Sequence, residues 1–319
     1  MIHISGTAQV HTGPSAPGTA TEKRDMTRFE FAKRALATVA LLATGCATIS
    51  TPVPAKNAVV PFTRPDIQHV IVVVLENKNA ADALRQPFLT RLATEGALLD
   101  AYYGVAHPSQ PNYIALISGS FADVSGNGNV TLTRPHLGDS LTKAGVSWKS
   151  YAEGYPGGCS LVKTSGRYAR KHEPFLGFAD VQRNEQGMCD RIVNADRFLE
   201  EVKSGALPRF SLYIPDLDHD AHDRPLAFAD QWLSQTFGPL MTDDFRRTTL
   251  LIVTFDEDDS HSKHPNHIYT AFWGAGIRPG SVSHDVYDHY DLLRTIEAIF
   301  ALDPLPTAAP ARSIAGIWR

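Results

Sequence analysis

The run His107-Pro108-Ser109-Gln110-Pro111-Asn112 sets a small hydroxyl beside an imidazole, just ahead of a segment patterned for a helix over residues 111–118. A proline in a first helical turn loses no hydrogen bond, because the N–H it lacks would have had no partner there. A helix start also offers unpaired N–H groups and the positive dipole end, which suits a phosphate and an alkoxide beside it. Ser109 is therefore the candidate nucleophile. His107 is placed to orient a phosphate or assist a leaving group, and Asn112 to donate to a phosphoryl oxygen. Such chemistry calls for a cation, and separate stretches of the chain could hold one. Glu76-Asn77 pairs a carboxylate with an amide oxygen, both hard ligands. Asp256-Glu257 opens a run of acids, of which Asp258 and Asp259 are expected to face solvent or to lie behind the ligands. The segment from Asp216 to Asp223 mixes carboxylates with imidazoles, a combination suited to metal binding and to general-acid chemistry. Within it His222 and Asp223 are the first candidates and Asp220 the next. His267 and His289 abut apolar segments and could also face the cleft.

These groups need elements to position them. His69 to Leu75 is a continuous β-branched run, the mark of a strand buried on both faces. Further strands are predicted over 146–151, 209–214, 249–255 and 268–273, and helices over 87–95, 139–144, from Asn194 or Asp196 to before Gly205, and over 290–302. Alternating strands and helices predict an α/β fold, a three-layer α/β/α sandwich on a mostly parallel sheet. Ligands of such sheets sit beyond the carboxyl ends of the strands. Three predicted strands run straight into acid there, at Glu76, Asp216 and Asp256. Carboxylates crowded at one edge are costly without a cation. A hydroxyl more than about 8 Å from both acidic pairs would exclude a shared ion. Residues 154–189 lack periodicity and are expected to form an irregular insertion or substrate cap.

The chain has 319 residues, 43% of them hydrophobic, and a formal net charge of −4, with no like-charge block that would point to nucleic acid. Residues 1–25 are polar and small, the composition of a disordered segment or a misassigned start. Residues 26–46 run from Arg28 and Lys33-Arg34 through an apolar stretch to Thr44-Gly45-Cys46, the form of an export signal. Its ending resembles a bacterial lipoprotein signal with Cys46 as the acylated residue; an unlipidated secreted product is the alternative. The expected product is exported and either lipid-anchored in the bacterial envelope or secreted. Residues 47–65 form a proline-containing tether, 66–305 the catalytic domain and 306–319 a tail. With Cys46 lipidated, Cys159 and Cys189 remain as a pair for a disulfide in an oxidising compartment.

The ordered combination of Glu76-Asn77, His107-Pro-Ser-Gln-Pro-Asn112, His222-Asp223, Asp256-Glu257 and the stretch His289 to Glu297 resembles the bacterial phosphoesterase family of acid phosphatases and phospholipases C, within the alkaline phosphatase superfamily. The likeness runs from about residue 66 to 302. It implies an alkaline phosphatase-like sandwich and a phosphoseryl intermediate on Ser109. It also implies a divalent metal ion held by Glu76, Asn77, Asp256 and Glu257, with His222 near the phosphate and Asn112 on a phosphoryl oxygen. Lys78-Asn79 and His219 depart from the family pattern at positions that bear on substrate contacts. The expected activity is phosphate-monoester hydrolysis, on a small ester or on a phospholipid or phosphoinositide. The rivals are a phospholipase C-like diesterase and a lipid-anchored protein that binds phosphate or metal without turnover. An all-oxygen ligand set favours magnesium, calcium or manganese, whereas a histidine in the set admits zinc.

Overall fold

The computed structural model describes residues 67–121, 123–259 and 265–319. The export signal, Cys46, the tether, His261 and His264 lie outside the described residues.

Strands run in the order β1 (His69–Leu75), β2 (Ala97–Tyr103), β3 (Trp148–Ala152), β4 (Thr164–Ser165), β5 (Tyr168–Ala169), β6 (Ile192–Asn194), β7 (Phe210–Ile214), β8 (Thr249–Phe255), β9 (His267–Gly274), β10 (Ser281–Ser283) and β11 (Tyr287–Asp288). The helices are α1 (Ala80–Ala83), α2 (Pro87–Glu95), α3 (Ser109–Ser118), α4 (Leu137–Lys143), α5 (Ala179–Gln182), α6 (Arg197–Ser204), α7 (Leu226–Thr236), α8 (Asp243–Thr248) and α9 (His289–Ile299). The main sheet has the order β10-β2-β9-β8-β1-β7-β3-β6, with β11 also paired to β2. Its centre, β8-β1-β7-β3-β6, is parallel, and β9 runs antiparallel to both β8 and β2. Helices flank this sheet as an α/β sandwich.

β1 and β8 sit at the centre because they can. Every residue of β8, and all of β1 except His69, is buried, so neither strand has a polar face to show to water. The strand β2 escapes sequence reading because Ala-Leu-Leu-Asp-Ala-Tyr-Tyr has no β-branched residue and interrupts its apolar run with Asp100. α7 and α8 were likewise not foreseen. α4 begins at Leu137, two residues before the predicted start, with His136 as its cap; Asp139 accepts from the His136 N–H, closing a capping box.

The insertion over 154–189 holds the β4–β5 hairpin, short 3-10 turns and α5. Cys159 and Cys189 are joined across it. Closing a span of 30 residues stabilises the fold by about 3–4 kcal/mol on the chain-entropy account. The expected tail is no tail: Ile314 and Ile317 are buried in the main core, and Trp318 bridges to Ile277.

Candidate active site

Register places the first two ligand candidates together. Leu75 pairs with Phe255, and the Asp256 N–H donates to the Leu75 carbonyl at 2.9 Å, so Glu76 and Asp256 leave the sheet side by side. α3 delivers the hydroxyl. It starts at Ser109 rather than at residue 111, which puts the serine inside the first turn and Pro111 two positions further on. The whole helix is buried, and Gly119 ends it in the left-handed conformation at φ 70°. Asn112 anchors the approach: its Oδ1 accepts from the Val105 and Ala106 N–H groups at 2.8 and 3.0 Å, and its Nδ2 donates to the Ala106 carbonyl at 2.8 Å. That amide bonds the loop that leads into the helix, which gives Asn112 a positioning role in this structure. The Gln110 N–H, a helix-start donor, is taken by Asn127 Oδ1 at 3.0 Å.

Ser109 Oγ donates to Glu76 Oε2 at 2.8 Å and lies 3.2 Å from Glu257 Oε1, far inside the distance a shared ion requires. The Asn77 backbone N–H donates to Asp256 Oδ1 at 3.1 Å, with Asn77 held at φ 49°. One end of the Asn77 amide lies 3.0 Å from Glu76 Oε2, 3.2 Å from Glu257 Oε1 and 3.3 Å from Asp256 Oδ1. With NH2 turned inward it bonds all three; with oxygen inward it completes a ring of acceptors. His107 Nδ1 bonds Glu257 Oε2, and its Nε2 lies 3.5 Å from Asp258 Oδ1. Asp258 is buried behind this contact, while Asp259 is exposed.

The electrostatics of the ring show what it lacks. Burial, then the charges of Glu76 and Glu257, push the Asp256 carboxyl well above its ordinary range. Burial also raises Glu257, against the pull of His107. Glu76 Oε1 and Asp256 Oδ2 are buried with no hydrogen-bond partner, a state that costs about 1–3 kcal/mol per group. Metal–oxygen lengths of about 2.1–2.4 Å set neighbouring ligands about 3 Å apart, close to the 3.0–3.3 Å that separates the Asn77 amide from one oxygen of each carboxylate. The residues therefore fit a hard divalent cation.

Around the ring the sequence-derived candidates divide. His172, from the insertion and not foreseen, is buried with Nε2 3.1 Å from Glu76 Oε1 and Nδ1 3.4 Å from Asp220 Oδ2, and its ring stacks on Tyr113. Burial drives it down to about 4, so it is neutral near pH 7, and pushes Asp220 up to about 7. No periodic signal marks a histidine in an irregular segment; only its burial reveals it. Asp220 Oδ1 accepts from the His222 N–H at 2.7 Å, and the Asp220 carbonyl accepts from the Glu76 N–H. His222 Nδ1–H donates to Asp223 Oδ1 at 2.6 Å, and Asp223 also pairs with Arg167. Asp223 thus orients His222 and stands outside the acidic ring.

Two expected cleft histidines are elsewhere. His289 is buried, with Nε2–H donating to the Asp256 carbonyl at 2.6 Å and Nδ1 accepting from Tyr102 at 3.2 Å. Burial lowers it to about 4, and it props the end of β8 instead of meeting phosphate. His267 Nε2–H donates to the Asp100 carbonyl at 2.8 Å, which leaves it no place among the ligands. The third acid-ended strand also diverges: Asp216 joins Glu153 and His219, not Ser109.

A buried serine thus stands within an acidic ring, on the carboxyl edge of a largely parallel sheet, a fold also found in the alkaline phosphatase superfamily. The chain shares its fold with a member of that superfamily from Vibrio parahaemolyticus, at a TM-score of 0.52 and 13% identity over 76% of this chain and 68% of the other. Residues 82–303 match the Phosphoesterase family, and the chain belongs to it. A phosphatidylinositol-3-phosphatase of Mycobacterium tuberculosis is 33% identical over 293 residues, 89% of this chain and 94% of the relative. A probable acid phosphatase of Kluyveromyces lactis is 29% identical over 248 residues; the match covers 73% of this chain but 58% of that longer protein.

Proposed function

We propose that this chain is a metal-dependent phosphomonoesterase that works through a phosphoseryl intermediate on Ser109. The observation that carries the reading is the Ser109 hydroxyl, in a residue 1% exposed, bonded to Glu76 within the ring of Asn77, Asp256 and Glu257. Glu76, Asn77, Asp256 and Glu257 would hold a divalent ion, which would supply Lewis-acid chemistry by lowering the serine's pKa and offsetting charge on the phosphoryl oxygens. Ser109 Oγ gives its proton to Glu76 Oε2 and bonds phosphorus as the ester P–O bond breaks. The alcohol leaves with a proton from Nε2 of protonated His222, whose ring Asp223 orients through Nδ1. Water then attacks the phosphoserine, giving a proton to His222 Nε2, and phosphate departs as Oγ regains its proton from Glu76. His107 keeps Glu257 turned toward Ser109, and Asn112 holds the loop that sets the serine's position.

The mycobacterial relative supports a phosphoinositide as substrate. The Cys46 segment supports export and a lipid anchor, which would bring domain 66–305 to such a lipid. Ser109→Ala is expected to lower kcat for p-nitrophenyl phosphate about a thousandfold or more. Retention of most of the activity would end the assignment of the nucleophile. Elemental analysis, chelation and metal add-back identify the ion, and p-nitrophenyl phosphorylcholine distinguishes a diesterase.

A further inference from the structure

Near the acidic ring, on the side of His222, lies a cavity of about 280 Å3, at the small end for ligand pockets. Its walls come from three separate segments: Asn127 and Asn129 after α3, Lys163, Thr164 and Lys171 around the β4–β5 hairpin, and His222 after β7. Leu217 N–H donates to the Arg167 carbonyl at 3.1 Å, tying the hairpin to the loop that carries His222.

The charge of this cavity runs against that of the chain. Lys163 and Lys171 both line it, and neither has a carboxylate at ion-pair distance among the described residues. Their neighbour Arg167 shows the contrast, being paired with Asp218 and Asp223. Lys171 is half-buried, and an ammonium partly withdrawn from water gains from an anion beside it. Position adds a second argument. Asn127 accepts from the Gln110 N–H, and Gln110 Oε1 accepts from the Gly128 N–H at 2.7 Å, so the cavity floor is fixed to the residue after the nucleophile. Lys171 precedes His172, which touches Glu76. His222 is both the proposed proton donor to the leaving alcohol and a wall of the cavity. In an in-line displacement the departing alcohol lies on the side of its proton donor, opposite Ser109.

We infer that this cavity binds a second anionic group on the substrate's alcohol, so that the preferred leaving group is a polyol that already carries a phosphate. The inference rests on the phosphomonoesterase reading and deepens it. Lys163 and Lys171 contact the second phosphate and make the enzyme discriminate between alcohols. The same chemistry is presented by a soluble inositol bisphosphate and by a phosphoinositide headgroup. Leu161 and Val162, 38% and 44% exposed beside Lys163, would meet the apolar part of the lipid form.

The test uses the full chain with metal and compares kcat/KM for inositol 1,3-bisphosphate, monomeric dioctanoyl phosphatidylinositol 3-phosphate and p-nitrophenyl phosphate. In Lys163→Gln/Lys171→Gln the ratio of each bisphosphorylated substrate to p-nitrophenyl phosphate is expected to fall about tenfold or more, mainly through KM. The Lys163→Arg/Lys171→Arg protein should keep most of that ratio. Hydrolysis of p-nitrophenyl phosphate in the same samples reports folding, and the wild-type salt dependence of KM gives a second readout, steeper for the bisphosphorylated substrates. An equal fall on the soluble and lipid substrates supports the cavity. A ratio that stays within about twofold, or a fall confined to the lipid, overturns it. A wild-type protein that hydrolyses none of the three loses the proposed function itself, a distinct result.

Discussion

At the ends of β1 and β8, Glu76, Asp256 and Glu257 crowd around Ser109 with Glu76 Oε1 and Asp256 Oδ2 unpartnered. At the ends of β3 and β7, on the same edge, Glu153 and Asp216 meet His219 and find protein donors. Glu153 accepts from Tyr213 at 3.0 Å, from the Asp216 N–H at 3.0 Å and from His219 Nδ1 at 2.7 Å. Asp216 Oδ1 accepts from the Asp218 and His219 N–H groups. The His219 ring stacks on Trp232 and Phe228, and its bond to Glu153 raises its pKa. Both clusters are acids at strand ends. The second is rich in protein donors; in the first Asp256 Oδ2 has no donor and Glu76 Oε1 faces only His172 Nε2, at 3.1 Å. Unmet acceptors, more than acidity, set the ring around Ser109 apart from the second cluster.

The sharpest way to break this comparison is to remove one acid from each cluster. Asp256→Ala or Glu257→Ala should cost about a thousandfold or more in kcat/KM and lower bound metal, as read by phosphate release and elemental analysis. Glu153→Gln should leave kcat/KM within about threefold. A large loss of activity in Glu153→Gln would erase the distinction.

A smaller effect follows from another buried acid. Glu173 lies in the insertion, beside His172, with Ser150 and the Phe175 N–H as donors, yet burial still pushes its carboxyl up to about 7. The folded chain therefore holds this proton through a window in which the unfolded chain, near 4.5, has lost it. Stability is full below about 4.5 and falls as pH rises toward 7. Glu173→Gln should gain up to about 3 kcal/mol over wild type at pH 8 and almost nothing at pH 4 in urea unfolding.

Metal removal should act in the same direction on the catalytic ring. Burial, and then the neighbouring carboxylates, raises Asp256 and Glu257, so the chelated protein is expected to lose stability as pH rises from about 4 toward neutrality. Saturating ion should restore about 2–3 kcal/mol near pH 7 at a hundredfold excess over Kd, measured as Tm with and without chelator. The least change belongs to the satisfied cluster. His219 has a raised pKa, so its contribution is complete below its unfolded value near 6.5 and is lost at higher pH. Glu153→Gln should cost about 1–2 kcal/mol at pH 5.5 and less at pH 9.

Much of the cluster around Ser109 was legible because its signals are local. The buried runs of β1 and β8 point to Glu76 and Asp256, and a proline-bearing helix start points to Ser109. The errors share a cause. Asn112, His289 and His267 are polar residues next to apolar segments, a pattern equally consistent with facing a cleft and with bonding backbone. All three bond backbone, at Ala106, Asp256 and Asp100. His172 had no pattern at all, since an irregular insertion has no period to place a side chain on a face.

The sequence alone determined the alternation of strands and helices, which strands are central, and that acids cluster where those strands end. Periodicity and burial preference act over a few residues, so one chain is enough to display them. Only the tertiary structure decided which acids belong together. Asp216 and Asp256 end similar strands, yet one meets His219 and Glu153 while the other meets Glu76 and Asn77. Ser109 reaches Glu257 from 148 positions away, and His289 reaches Asp256 from 33. Whether a buried oxygen is satisfied depends on such distant donors, and no local pattern encodes them.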